Sequence, residues 1–290
     1  MKVLNLLSDV GIFIPSYQRP GRQLTFERLP SELKRIARIV VSTGDPYLKK
    51  YQKNFIKNIV TCPLKGIGAT RQWILEQCFD NGFCKFAFMF DDDMKFGVRD
   101  SSMSIKDCSG KDILDMVLLL RSWLEAGFVH VGVSQRFGNN RILDSFSEIT
   151  RMNNAYAFRV REIISLGRKH GIGFNELEKK YNKGKPLVME DFHMTLRLLR
   201  LGYKNRVTYT YCWSQEKSGD VGGCSTYRDD ELQKRSANFL KKEHPLFVTV
   251  LEKESKEIWG GFKFKIRTDV NISWKKSFGV DKRKKITSFF

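Results

Sequence analysis

Apolar positions along this chain fall into short runs bounded by turn residues, and their spacing separates strands from helices. Val10 to Pro15 reads as a short apolar strand stopped by Pro15, with SYQRPGR (16–22) following as a loop. Ile36 to Ser42 is a β-branched strand ending at the turn Gly44-Asp45-Pro46. Lys49 to Ile56 reads as a helix and Asn58 to Thr61 as a third strand. Gly68 opens a helix that runs to about Cys78, with Trp73, Ile74 and Gln77 at helical spacing. Cys84 to Phe90 (CKFAFMF) is nearly all apolar, the pattern of a central strand covered on both faces. This alternation predicts an α/β fold with a parallel, doubly wound sheet. Such sheets take ligands at the carboxyl ends of their strands.

The second half continues the alternation. Lys111 to Ala126 is the clearest helix, with Ser109 as its cap. Phe128 to Ser134 and Ala155 to Val160 read as strands, and polar, glycine-bearing Arg168 to Lys185 as surface loop with a short helix. Glu190 to Leu201 is an amphipathic helix terminated by Gly202. Arg206 to Trp213 alternates as a strand, Ser214 to Tyr227 is a glycine-rich loop, and Tyr227 to Lys242 returns to helix. From Lys256 to Phe290 the chain changes character, with ten Lys or Arg against three Asp or Glu. Apolar and basic residues alternate in Gly261 to Ile266 and Val270 to Trp274. They predict a basic strand or hairpin before the cluster Lys282 to Lys285.

The CKFAFMF strand runs straight into Asp91, Asp92 and Asp93. In extended backbone, Asp91 and Asp93 are expected on one side and Asp92 on the other. Three adjacent carboxylates at the mouth of a buried strand repel one another, and a divalent cation relieves that repulsion. An all-oxygen site that keeps waters and receives phosphate oxygens suits Mg²⁺ or Mn²⁺. Such an ion stabilises a leaving diphosphate as negative charge develops. The plainer reading is an acidic turn after a strand, yet a chain of net charge +19 has little need of three stacked acids for solubility.

That charge, on 33.7 kDa, steers the protein toward polyanions: DNA or RNA before an anionic membrane, with a mere solubility surface as the alternative. With 290 residues, 41% of them hydrophobic, the chain can bury a full core and is not of disordered composition. No apolar stretch is long enough to span a membrane. Met1 to Val10 lacks the basic leader and apolar core of a signal peptide, which predicts a cytoplasmic protein with reduced thiols. Six scattered cysteines without a CxxC pair, and only four histidines, argue against structural zinc.

IFIPSYQRP (12–20), GIGATRQW (66–73), FMFDDDMKF (88–96) and MEDFHMTLRLLRLGY (189–203) occur in the order seen in GT-A fold glycosyltransferases. The chain most resembles the TET-associated glycosyltransferases of bacteriophages, which modify hydroxymethylated pyrimidines such as hydroxymethylcytosine in DNA. The resemblance spans about residues 10 to 245. It implies a GT-A-like, Rossmann-like, mostly parallel sheet flanked by helices. It implies a nucleotide-sugar half over about 1–100, an acceptor half over about 101–245, and a basic extension over 246–290. A phage enzyme of this kind acts in the host cytoplasm.

By the same resemblance, Pro15, Ser16, Tyr17 and Arg19 form the first nucleotide-binding loop, with Tyr17 on the base and Arg19 on phosphate or base. Gly68 and Arg71 match the glycine-to-arginine element before the DxD strand, placing a helix amino end and a guanidinium near phosphate. Gln72 stands where many members have Asn. Asp91 and Asp93 match the DxD pair, with Asp93 on the metal and Asp91 on ribose or metal; Asp92 completes the donor site. His244, before Pro245, corresponds to a late metal ligand, which favours Mn²⁺. Glu190 and Asp191 match the acidic pair that faces the acceptor, Asp191 as general base and Glu190 as its partner. Their charges also suit a helix amino end whatever their function. Gly222-Gly223 with Tyr227 and Arg228 reads as a cover over sugar and diphosphate.

The resemblance thus implies transfer of a sugar, UDP-linked and with Mn²⁺ or Mg²⁺, to a hydroxymethyl group on DNA. Trp259, Phe262, Phe264, Trp274 and Phe278, interleaved with lysines, add a DNA-binding character to the tail. Three rivals stand beside this reading: a transferase acting on a glycan, lipid or protein, a non-enzymatic nucleic-acid-binding protein, and a nucleotidyltransferase or nuclease.

Overall fold

The computed structural model describes residues 5–100, 104–136, 142–215, 223–254 and 266–282. The amino-terminal alternation folds as the pattern dictates. Strands β1 (Val10–Ser16), β2 (Ala37–Ser42), β3 (Ile59–Cys62) and β4 (Phe86–Phe90) pair in parallel in the order β3-β2-β1-β4. Every residue of β1 and of β4 is buried, as expected of strands covered on both faces. The helix Ile67–Asp80 lies against one face of the sheet through Ile74, Leu75 and Cys78, and Gly110–Glu125 against the other through Ile113, Met116, Val117 and Leu120. Ser109 caps the latter helix in a reciprocal capping box with Asp112.

Among the described residues the sheet has ten strands and continues from β4 through β9 (Ala155–Arg159), β7 (His130–Gln135) and β10 (Asn205–Gln215) to β5 (Met94–Arg99) and β6 (Ile105–Asp107); β8 (Phe146–Glu148) pairs with β10. Strand β9 is antiparallel to both β4 and β7, so β7 and β10 again run with β1–β4. The pairing of β10 with β7 is irregular between Thr208 and Cys212, and beyond that point β10 pairs antiparallel with β5. The carboxyl ends of β1, β4, β7 and β10 thereby share one edge with the amino end of β9.

The helix Val160–His170 departs from expectation. AYAFRV reads as a strand, but the strand stops at Arg159. Val160, Ile163, Ile164 and Leu166 then bury one helical face, and Gly171, left-handed at φ 65°, ends it. Four strands also lie beyond the reading: β5 directly after the aspartates, β6, β8 and β11 (Val248–Glu254).

The basic tail begins as a hairpin in which β11 pairs antiparallel with β12 (Ile266–Ile272). Val250, Val270, Ile272, Trp274 and Val280 share a core with Met189 and Leu196 around the helix Glu190–Arg200, and with Leu232 and Leu240 of the helix Asp230–Glu243. Trp259, Phe262, Phe264 and Arg283 to Lys285 lie outside the described residues. No described helix is long and apolar enough to cross a membrane, and the described cysteines are free thiols.

Candidate active site

Strand β4 ends at Phe90, and Asp92–Asp93 form a turn rather than more strand. The expected alternation therefore fails: Asp92 and Asp93 converge, while Asp91 points elsewhere. Arg19 Nη1 donates to Asp92 Oδ1 at 2.8 Å and to Asp93 Oδ2 at 2.9 Å. Gln215 Nε2, at the end of β10, donates to Asp93 Oδ1 at 3.0 Å. Thr25 fixes the turn: its Oγ1 donates to the Asp91 carbonyl at 2.5 Å, and its N–H to the Asp92 carbonyl at 3.1 Å.

The first loop is organised around the same carboxylates. Ser16, at the end of β1, donates to Asp92 Oδ2 at 2.5 Å and lies 2.8 Å from the Tyr51 hydroxyl, which accepts the Arg19 N–H. Asp45, buried beside the loop, accepts the N–H groups of Gln18 and Tyr47, each at 2.7 Å. Burial drives the Asp92 carboxyl up to about 7, against the opposing pull of Arg19. Pro15 is buried within β1 opposite Val40. Tyr17 is half-buried, and its carbonyl accepts the Gly223 N–H at 2.6 Å. A Cβ at Gly223 would lie 3.0 Å from the Arg19 guanidinium, so the expected cover segment does approach the loop closely. Gly222 lies outside the described residues.

A second cation organises the other side of the site. Arg71, on the Ile67–Asp80 helix, is only 4% exposed; its Nη2 donates to Asp91 Oδ1 at 2.5 Å and its Nη1 to Glu190 Oε1. Asn154 Nδ2, just before β9, donates to Asp91 Oδ2 at 2.6 Å. The Tyr156 ring packs on the guanidinium with 5.2 Å between its centroid and Arg71 Cζ, and its buried hydroxyl has no hydrogen-bond partner among the described residues. Met189, in a left-handed conformation at φ 70°, turns the chain so that Glu190 and Asp191 enter the site from a helix amino end. Burial, aided by Asp191, pushes Glu190 up to about 8 despite Arg71. Asp191 and Asp91 are also raised, first by burial. Asp191 is the more open of the acidic pair and spends Oδ1 on the Phe192 N–H at 2.8 Å.

Two assignments need correction. His244 is fully buried; its Nε2 lies 3.0 Å from His193 Nδ1 and its Nδ1 3.0 Å from Arg200 Nη1. Both ring nitrogens are engaged, and burial and nearby cations hold the imidazole well below its ordinary range, so it has no lone pair for a metal. Gly68 does not open onto a donor: a Cβ there would lie 2.9 Å from Glu178 Oε1 and 3.1 Å from the Phe174 carbonyl. Its role is to let the 174–178 segment cover the helix end, and Gln72 Oε1 joins by accepting the Phe174 N–H at 3.1 Å.

Thr25, Tyr51, Asn154, Tyr156 and Gln215 are not legible as site residues in the sequence, because they reach the aspartates, the first loop or Arg71 from segments distant in the chain. Asp45 alone carried a signal, standing at the turn after β2 on the same sheet edge.

No curated protein sequence matches this chain. Distant likenesses occur among solved structures. Glucosyl-3-phosphoglycerate synthase from Mycobacterium tuberculosis, in complex with Mn²⁺, UDP-glucose and phosphoglyceric acid, is 10% identical over 92% of each chain, with a TM-score of 0.44. GalNAc-T7 with UDP, GalNAc and Mn²⁺ is 9% identical over 71% of this chain and 43% of its own, at 0.44. A CMP:2-keto-3-deoxy-manno-octonic acid synthetase complexed with CTP is 12% identical over 69% and 89%, at 0.39. Residues 10–223, which run from β1 past the aspartates and the Glu190–Asp191 pair to the segment over Arg19, match the TET-Associated Glycosyltransferase family, and the chain belongs to that family.

Proposed function

We propose that this glycosyltransferase moves a sugar from a UDP-linked donor to the hydroxymethyl group of a modified pyrimidine in DNA. The observation that carries this reading is the placement of Asp91–Asp93 at the sheet edge with Asp191 on the other side of Arg71. Arg71, with Asp91 on one guanidinium nitrogen and Glu190 on the other, supports a donor-phosphate side apart from an acceptor side. The DNA acceptor is supported by the family resemblance and the net charge of +19.

The donor set suits a divalent cation in its chemistry. Two carboxylate oxygens, from Asp92 and Asp93, already converge on one cationic atom, Arg19 Nη1. Among the described residues no three His, Cys, Asp or Glu side chains surround a common point. The protein would thus offer Asp93 with Asp92, rather than with the expected Asp91, whose two oxygens are taken by Arg71 and Asn154, and leave the remaining positions to phosphate and water, the usual pattern for Mg²⁺ and Mn²⁺. When bound, such an ion supplies positive charge to the leaving diphosphate.

The chain's own residues do the rest. Arg19, at the mouth of the first loop, holds the phosphate side. Arg71 fixes Asp91 and Glu190 in one frame, so Glu190 acts by positioning. Asp191 takes the proton of the acceptor hydroxyl as the sugar's anomeric carbon bonds to its oxygen and the nucleoside diphosphate departs. Burial raises its pKa and so its strength as a base.

The test is incubation with hydroxymethylated DNA, a panel of nucleotide sugars and Mn²⁺, followed by mass spectrometry of the nucleosides. A hexose or pentose increment on the pyrimidine is expected. Its absence across the panel, with transfer instead to a glycan or lipid acceptor, overturns the assignment.

A further inference from the structure

The acceptor side does not stop at Asp191. The next residue, half-buried Phe192, carries Arg151 on its ring, with Arg151 Cζ 4.9 Å from the centroid. Trp274 meets the same ring edge-to-face, with centroids 5.9 Å apart and planes at 74°. Arg151 is exposed, Trp274 is half-buried, and the exposed lysines Lys275 and Lys276 follow it. Arg151 and Arg228 both act on the Asp191 carboxylate by charge. Arg228 is oriented by Gln233, whose Oε1 accepts from its Nε at 3.0 Å and its Nη2 at 2.8 Å. Gln233 Nε2 in turn donates to the Thr268 carbonyl of β12 at 3.2 Å.

Both flanks of Asp191 therefore rest on β12 and the short helix Trp274–Ser277, which lie past residue 223, where the family match ends. We infer that Arg151, Phe192 and Trp274 form a stacking platform that seats an unpaired nucleotide of a DNA strand beside Asp191, with the carboxy-terminal hairpin completing the acceptor site. This rests on the proposed DNA acceptor and names where the strand lies. The chemistry is that of single-strand recognition: guanidinium and ammonium groups neutralise phosphates, and aromatic faces and edges take bases of any sequence. A purely structural Trp274 would not require an exposed arginine over the Phe192 ring. A base held inside a duplex has no free face for such a ladder, so the occupant is an unpaired or extruded nucleotide.

The experiment is fluorescence anisotropy of a labelled single-stranded oligodeoxynucleotide with the full-length protein, without donor. Trp274→Ala should weaken binding about tenfold, the scale of one lost base stack, and Trp274→Phe should restore most of it. Arg151→Gln, a surface change that leaves the core intact, should weaken binding and lower the slope of log affinity against log salt by about one. In turnover, both losses should appear in KM for DNA before kcat. Binding within twofold of wild type for both Arg151→Gln and Trp274→Ala overturns the platform. So does loss of phosphatidylglycerol-vesicle binding in these variants with DNA binding intact, which would make the surface a membrane contact. If wild type adds sugar to DNA while the variants bind normally, the platform alone fails. If the variants lose DNA binding but wild type transfers no sugar to DNA, the platform stands and the proposed reaction fails.

Discussion

Replacing Arg71 with methionine isolates the cation that joins the two halves of the site. Methionine keeps much of the length and apolar bulk and removes only the guanidinium. Arg71 is 4% exposed, and its two partners, Asp91 and Glu190, are 22% and 8% exposed, with Asp191 also acting on Arg71 by charge. Removing one partner of a buried pair costs roughly 3–5 kcal/mol, because the remaining charge has no compensation. The partial exposure of Asp91 places the expected loss near the lower figure. At about 2–4 °C per kcal/mol for chains somewhat shorter than this one, the unfolding midpoint should fall on the order of 6–12 °C at pH 8.

The deficit should depend on pH. Arg71 lowers the pKa of Asp91, Glu190 and Asp191, so its loss raises all three further. The folded variant then binds more protons than the unfolded chain, and its stability declines more steeply with rising pH than that of wild type. Thermal unfolding of both proteins from pH 5 to pH 8 should show the gap widening toward pH 8. A gap constant across that range, or below 2 °C at its upper end, would refute the buried-charge account of Arg71.

Three further outcomes are expected. Glu190, pushed up to about 8 from an ordinary 4.5, keeps its proton in the folded state across that window while the unfolded chain releases it; folding stability should fall as pH rises from 4.5 to 8. Glu190→Gln should flatten that fall, and denaturant titrations with an unchanged slope would count against it. His244→Ala should destabilise the protein by about 1–3 kcal/mol, by removing the buried ring that pairs with His193 Nδ1 and Arg200 Nη1, yet leave Mn²⁺ binding by electron paramagnetic resonance at the wild-type level; lost ion binding in a folded variant would restore the histidine as a ligand. Gly132→Ala puts a Cβ 2.6 Å from Met152 Cγ and 3.2 Å from the Ala155 carbonyl, so it should cost about 1–3 kcal/mol in chemical denaturation through overpacking of β7 on the 152–155 segment. A neutral result would show that Met152 can move aside freely.

Local pattern alone does not carry the short helices Leu24–Arg28 and Ser31–Ile36, but it does carry the four parallel strands of the amino-terminal half, the helices after β2 and β3, the burial of the CKFAFMF strand and its exit into carboxylates. Each of these is a property of neighbours in the chain, carried by a period of two or of about three and a half. The helix Val160–His170 was legible in principle, through Val160, Ile163 and Ile164 with Gly171 as its stop, but the alternating AYAFR in front of it drew the strand too far. Tertiary structure decided which cation serves which acid. Arg19 meets Asp92 from 73 residues away, and Arg71 meets Glu190 from 119, while His244, local to nothing in the site, spends its nitrogens on His193 and Arg200. A turn at Asp92–Asp93 replaced the alternation that an extended strand would have imposed, because Thr25 holds the backbone there from another element. Periodicity fixes which face of an element is apolar. Which carboxylate finds which guanidinium depends on how the sheet edge gathers distant chain segments, and no local pattern encodes that.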